Sequence, residues 1–251
     1  MSMRNIVLSF DDGLYDFKIN ALPILDKYNF KACVNVVTKF SELGEFDGYK
    51  YLTINDLNDI KRKGFELACH SDTHQKISSI DDLLISKRKM IQYFGNENYG
   101  LILPFSQTID SKKANIILDN FLYLADYKTN RLKNTFYYNL SRIFARVFKA
   151  KKNVFYYCNF SYFFDNRTDS KVFSRLPIKT NISPKVYINF LKHMPNNASL
   201  VLMFHSITDN YETCPWPDGS WTTKKFDHFL RYLNKHRNRY NVVTQRSILH
   251  E

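Results

Sequence analysis

The chain has 251 residues, 44% of them hydrophobic, and a formal net charge of +12. That content supports a sizeable core in one domain and excludes a low-complexity chain. No stretch approaches the ~18 uninterrupted apolar residues of a membrane span, and Met1-Ser2-Met3-Arg4 leads directly into an apolar run with no secretory signal, so a cytoplasmic protein is expected.

From the N-terminus, residues 5–10 read as a strand that closes in Ser9-Phe10-Asp11-Asp12-Gly13. Helical periodicity over 21–28 precedes a strand over 31–37. A helix over 53–63 is followed by a strand over 65–70 that opens into Cys69-His70-Ser71-Asp72-Thr73-His74. A helix over 81–94, a strand over 101–105, a helix over 111–121 and a strand over 123–126 come next. Residues 134–166 break the alternation with an aromatic and basic stretch, helical around 140–148. It reads first as an insertion covering a barrel end, second as a peripheral membrane or partner contact. The alternation resumes with a strand over 172–178, a helix over 183–193 opened by Ser183-Pro184, a strand over 200–205, a helix over 224–236 and a strand over 241–244.

Several strands are apolar without alternation, as expected when both faces are covered. Eight such strands separated by helices predict an α/β fold, a distorted parallel (β/α) barrel of seven or eight strands, as one domain over residues 1–251. Catalytic groups in such barrels gather at the C-terminal strand ends. Asp11, Asp12, His70, Pro104-Phe105 and His205 all fall there.

The residue types at that rim carry a chemistry. Two adjacent carboxylates repel, and a divalent cation relieves them while leaving one free as a base. One carboxylate with two imidazoles four residues apart is a three-ligand set with open positions for water and substrate, which points to metal-assisted hydrolysis. Cys33, Cys69, Cys158 and Cys214 show no CxxC pairing and read as free thiols. The basic clusters are dispersed and read as solvated surface, and no RNA-binding signature accompanies them, so no nucleic-acid partner is expected.

Three motifs together resemble the polysaccharide deacetylase, or NodB-homology, family of metal-dependent amide hydrolases. Ser9 to Gly13 matches its S/T-F-D-D-G motif, His70 to His74 its H-S/T-x-x-H motif, and Leu202-Met203-Phe204-His205 its L-x-x-H motif. The resemblance implies that Asp12, His70 and His74 hold one divalent ion, zinc first, with manganese, cobalt or nickel as alternatives. It implies that Asp11 is the general base, His205 the general acid, and the Phe105 N–H an oxyanion donor. The family's arginine in R-x-P-Y is Ile102 here, which leaves open what orients Asp11, and its fourth motif is missing. Asp126 and Arg175, the latter in Arg175-Leu176-Pro177, are candidate substitutes near the substrate, as is Pro104 in the third motif. Trp216 and Trp221 either stack on a sugar ring or pack their loop onto the barrel. The implied substrate is an N-acylated amino sugar, phosphorylated or lipid-linked in a cytoplasmic setting. Hydrolysis of a non-sugar amide, such as deformylation, and a decayed binding barrel are the alternatives.

Overall fold

The structure is a computed structural model that describes residues 4–76, 79–107, 109–126, 159, 162–165 and 171–249. Its strands are β1 (Arg4–Phe10), β2 (Cys33–Val36), β3 (Glu45–Phe46), β4 (Tyr49–Lys50), β5 (Glu66–Cys69), β6 (Leu101–Ile102), β7 (Leu124–Asp126), β8 (Phe164–Asp165), β9 (Val172–Pro177), β10 (Ala198–Phe204) and β11 (Tyr240–Val243). Its α-helices are α1 (Leu22–Lys27), α2 (Thr38–Leu43), α3 (Ile54–Arg62), α4 (Asp81–Phe94), α5 (Ser111–Leu118), α6 (Pro184–Lys192) and α7 (Thr223–Lys235).

Seven parallel strands form a closed barrel in the order β1-β2-β5-β6-β7-β9-β10, and the pairing of β10 with β1 completes the ring. The eight expected strands are all present, but the eighth does not enter the ring. One edge of β1 is shared: Arg4 to Val7 pair with β11, and Ser9 and Phe10 pair with β2. The barrel is thus distorted at the strand that carries the two aspartates.

Strand alternation sorts side chains between two apolar layers. Ile6, Leu8, Phe10, Val34, Val36, Leu67, Cys69, Leu202 and Phe204 pack with the surrounding helices in the larger core. Val7, Cys33, Ala68, Ile102, Ala125, Phe173 and Val201 fill the barrel interior. The same inward parity continues up the strands as Ser9 and Asp11, Asn35, His70, Arg175, and Met203 and His205. Towards the C-terminal end the interior therefore changes from hydrocarbon to polar groups.

Local chemistry sets the helices. Thr53 and Asp56 form a reciprocal capping box on α3, Ser183 caps α6 ahead of Pro184, and Thr222 caps α7. The segment expected as one helix over 21–28 begins earlier, as a π-helical turn from Phe17 to Ala21 that continues into α1. The hairpin β3–β4 and the short α2 have no counterpart among the sequence-based expectations. Asp47 and Gly48 form the hairpin's two-residue turn, both with positive φ (51° and 77°).

Most of the aromatic insertion, including its expected helix over 140–148, lies outside the described residues. Its described end packs at the base of the barrel: Tyr162 is buried, Phe163 stacks on Phe190, and β8 runs antiparallel to Ala198 and Ser199 at the start of β10. No helix among the described residues is long and apolar enough to cross a membrane.

Candidate metal and catalytic site

β1 delivers Asp11 and Asp12 to the rim. The Asp11 N–H donates to the Phe204 carbonyl at 2.9 Å, which prolongs the β1–β10 ladder by one residue. Asp12 then takes φ 70° and Gly13 φ 67°. This left-handed pair reverses the chain, so the two neighbouring carboxylates point to different places instead of stacking on one face. Glycine suits the second position because its φ is positive.

β5 delivers the histidines. The His70 Nδ1 lies 3.0 Å from the Ile102 carbonyl, so it carries the proton and Nε2 presents its lone pair to Asp12. His74 is reached through a tight loop in which its N–H donates to Ser71 Oγ at 2.9 Å. The loop is clamped from α4, where Asp82 accepts from the Asp72 and Thr73 N–H groups and from Thr73 Oγ1. Asp72 is held in turn by Thr38 and Lys89. Ser71 and Thr73 therefore hold the turn through local hydrogen bonds.

His70 Nε2 and His74 Nε2 stand 3.3 and 3.1 Å from the same Asp12 Oδ1. Both Asp12 carboxylate oxygens are enclosed and accept no hydrogen bond. A buried carboxylate without a donor is costly. Two imidazole Nε2 atoms face the same carboxylate, and one divalent cation would engage all three groups together. The three ligand atoms lie within 4.8 Å of one another, so the residues fit such an ion. Cys69 faces the outer core and takes no part.

Asp11 sits beside this group with a different set of partners. Its Oδ1 accepts from Arg175 at 2.6 Å and from Asn35 Nδ2 at 2.6 Å. Burial alone would raise its pKa, but the Arg175 guanidinium outweighs that and holds the carboxyl below its ordinary value. Asp11 is thus kept ionised and aimed. Arg175 is buried to 1% exposure, so it orients Asp11 from inside the barrel, not from the substrate side as expected. It supplies the cation missing at Ile102. Asn35 went unnoticed in the sequence, although a lone amide inside Cys33-Val34-Asn35-Val36 was the available signal.

His205 follows β10 and faces the same cavity, and burial pushes its pKa down. Its ring lies against Gly219: a Cβ built there would come within 2.3 Å of His205 Nδ1. The Gly219 carbonyl also accepts the His205 N–H at 3.1 Å. Gly219→Ala should therefore displace the imidazole and lower kcat about 10²-fold with bound metal unchanged, a comparison of steady-state rates with metal content. Equal kcat in the two proteins would remove Gly219 from this role.

The remaining expected residues divide. Phe105 lines the cavity with a left-handed backbone (φ 55°) and its ring 4.6 Å from that of His74. Asp12, Ser71, His74 and Phe105 are four of seven described non-glycine residues with positive φ, which concentrates backbone strain at this rim. Pro104 is buried beneath Phe105 and sets its turn instead of facing substrate. Trp216, 38% exposed, lines the cavity between His74 and His205. Trp221 is fully buried among Tyr187, Phe204 and Phe229 and donates its indole N–H to the Lys179 carbonyl. Trp221 therefore packs its loop and is not available to a sugar. Asp126 ends β7, paired with Ser174, and its side chain lies outside what is described.

Comparisons with known proteins bear on the family signature and on the fold. The sequence profile of the family described as polysaccharide deacetylase matches residues 1–95, which contain the first two motifs. No curated protein sequence matches. Among solved structures, the chain is similar to the peptidoglycan N-acetylglucosamine deacetylase Bc1960 (13% identity, TM-score 0.56, covering 98% of this chain and 87% of that one). It is similar to the Xyl-CE4 domain of a xylanase from the hindgut metagenome of Trinervitermes trinervoides (14%, 0.53, 98% and 89%). A family 4 acetyl xylan esterase from Clostridium thermocellum, in complex with a cobalt ion, is a third (16%, 0.54, 97% and 89%). At these identities the likeness is one of fold. The resemblance read from the motifs is borne out: the chain carries the polysaccharide deacetylase signature in its first 95 residues, on a closed seven-stranded barrel of the kind these enzymes share.

Proposed function

We propose that this protein is a divalent-metal-dependent hydrolase that removes an N-acyl group, acetyl first, from an amino-sugar unit. One observation carries the reading: Asp12, His70 and His74 converge as a ligand set beside a cavity of about 240 Å³ lined by Asp11, His205, Phe105 and Arg175. One carboxylate and two imidazoles suit zinc, and also cobalt, nickel or manganese. Bound there, such an ion lowers the pKa of a water and polarises an acyl carbonyl.

The chain's own residues supply the proton traffic. Asp11, ionised and fixed by Arg175 and Asn35, accepts the proton of the attacking water. His205 faces the same cavity and is placed to pass a proton to the departing amine, since an unprotonated amine leaves poorly; burial keeps its ring neutral at rest, so it takes that proton up in the course of the reaction. The Phe105 N–H, carried on its left-handed turn, serves the developing oxyanion. The three ligands, Asp11, His205 and Phe105 stand together around one cavity, which argues against a decayed binding barrel.

The reading of the substrate as nucleotide- or lipid-linked draws less support. The single cation among the residues lining this cavity and the one beside it is Arg175, and Asp11 engages it. A phosphate would have to be held further out. The test is release of acetate and amine from N-acetylated amino sugars with and without a chelator. Turnover that a chelator abolishes and zinc or cobalt restores is expected. Turnover indifferent to chelator, or none on any acylated amino sugar, would overturn the proposal.

A further inference from the structure

Asp16 is a buried carboxyl that the hydrolytic scheme does not use. It lies just past the two aspartates, at the entry to the π-helical turn Phe17–Ala21. Ser206 Oγ donates to its Oδ2, while Oδ1 is enclosed and accepts no hydrogen bond. No lysine or arginine opposes its burial, which pushes the carboxyl up to about 8, so it is neutral at pH 7. Burying such a group costs free energy, and the contact it secures is with the residue after His205.

That contact belongs to a pair. Asn20, on the same π turn, donates from Nδ2 to the Ile207 carbonyl at 2.8 Å. Such turns are rare and recur at functional sites, and their i→i+5 bonding widens the helix. Asp16 and Asn20 thereby stitch the segment after the catalytic aspartates to Ser206 and Ile207, both buried.

From there the network continues into the tryptophan loop. The Ser206 carbonyl accepts the Trp221 N–H at 3.2 Å, and Ile207 bridges Trp221. The Cys214 thiol engages Ser206 and lies 3.3 Å from Ser220 Oγ, which donates to the Trp216 carbonyl at 2.8 Å. The same loop returns to His205 through the Gly219 carbonyl. His205 Nδ1 is enclosed and has no hydrogen-bond partner among the described residues. No side chain steers the imidazole at that nitrogen, so its direction is set by the backbone on either side and by the space at Gly219.

We propose that Asp16 is a positioning residue for His205: through Ser206, with Asn20 acting on Ile207, it fixes the backbone beyond the imidazole and so the line along which the departing amine receives its proton. This role rests on the hydrolytic reading for its consequence in turnover, but the link from Asp16 to the imidazole can be read without turnover. A neutral carboxyl offers one donor and an acceptor, and a carboxamide of the same shape offers both as well. The role therefore requires a hydrogen bond and not a charge.

The test is selectivity between leaving groups on the zinc-loaded enzyme. An amide nitrogen needs a proton to depart, whereas p-nitrophenyl acetate releases a phenolate that does not. Asp16→Ala should lower kcat on an N-acetylated amino sugar by about 10–10²-fold with KM little changed, and leave the ester rate within about twofold. Asp16→Asn should recover most of the loss. Ser206→Ala, which removes the same bond from the other side and leaves a smaller gap, should show the same selectivity. In NMR spectra the His205 imidazole signals, identified with His205→Gln, should move in Asp16→Ala and return in Asp16→Asn. Equal slowing of both substrates, no slowing of either, Asp16→Asn as defective as Asp16→Ala, or unmoved His205 signals would overturn the positioning role. A parent enzyme that hydrolyses neither substrate, with the His205 signals responding as stated, would instead retain that role and sink the hydrolytic reading.

Discussion

Arg175→Met should cost about 3–5 kcal/mol of stability and remove nearly all turnover at neutral pH. The pair it breaks is buried on both sides, and the 2.6 Å bond to Asp11 is the guanidinium's contact with the catalytic rim. Removing one partner of such a pair leaves an uncompensated buried charge, which is the expensive case. In the native protein the folded-state pKa of Asp11 is depressed, so its contribution to stability is present above the unfolded value of about 3.9 and is lost as pH falls below it. Without Arg175, burial becomes the dominant influence and pushes Asp11 upward. The deficit of the variant should therefore be greatest at neutral pH and shrink below about pH 4, as chemical denaturation across that range would reveal. The acidic limb of its residual activity should move to higher pH for the same reason. A variant as stable as the parent at pH 7 would show that Asp11 is neutralised by something else.

Asp11→Asn should lower kcat by about 10²–10⁴-fold while bound metal stays at the parent level. The substitution keeps the shape of the side chain and its hydrogen bond from Arg175 but removes the proton acceptor. Asp12 keeps both histidines, so metal content measured on the purified variant separates base from ligand. Loss of the ion in Asp11→Asn would mean that the two aspartates have been assigned the wrong way round. The variant also leaves Arg175 without its anion, so some loss of stability is expected alongside.

Much of this arrangement was legible in the sequence because strand ends and strand parity are sequence properties. The apolar runs located all eight parallel strands, and a barrel brings their C-terminal ends together, so Asp11, Asp12, His70 and His205 had to meet. Arg175 was legible in type but not in role. Its inward direction follows from parity, since it pairs in register with Val201 and shares the interior with Phe173. Whether its guanidinium reached substrate or Asp11 depended on the curvature of a distorted ring, which no residue pattern states. Asn35 was hidden similarly, as a polar residue inside an apolar strand whose partner lies on β1.

The Trp216–Trp221 loop shows a different limit. Five chain positions separate two indoles of opposite fate, one over the cavity and one in the core, and only the packing of Trp221 against Phe204 and Phe229 decides it. Gly219 could not be read either: its φ is unremarkable, and its value lies in the space it leaves for His205. The β3–β4 hairpin did carry a signal, since Asp47-Gly48 between Phe46 and Tyr49 is a standard two-residue turn sequence. Strands of two residues are too short for any periodicity to mark them. The missing fourth motif left the environment of Asp11 unresolved until β9 and β10 were seen side by side.

The account depends on one ion shared by three side chains. Crystals of the protein soaked with zinc, with diffraction recorded on both sides of the zinc absorption edge, test this directly. A single strong anomalous peak about 2 Å from Asp12, His70 Nε2 and His74 Nε2 is predicted, absent in Asp12→Ala. A soaked crystal with no peak among these three residues, or with its strongest peak elsewhere on the chain, would contradict it.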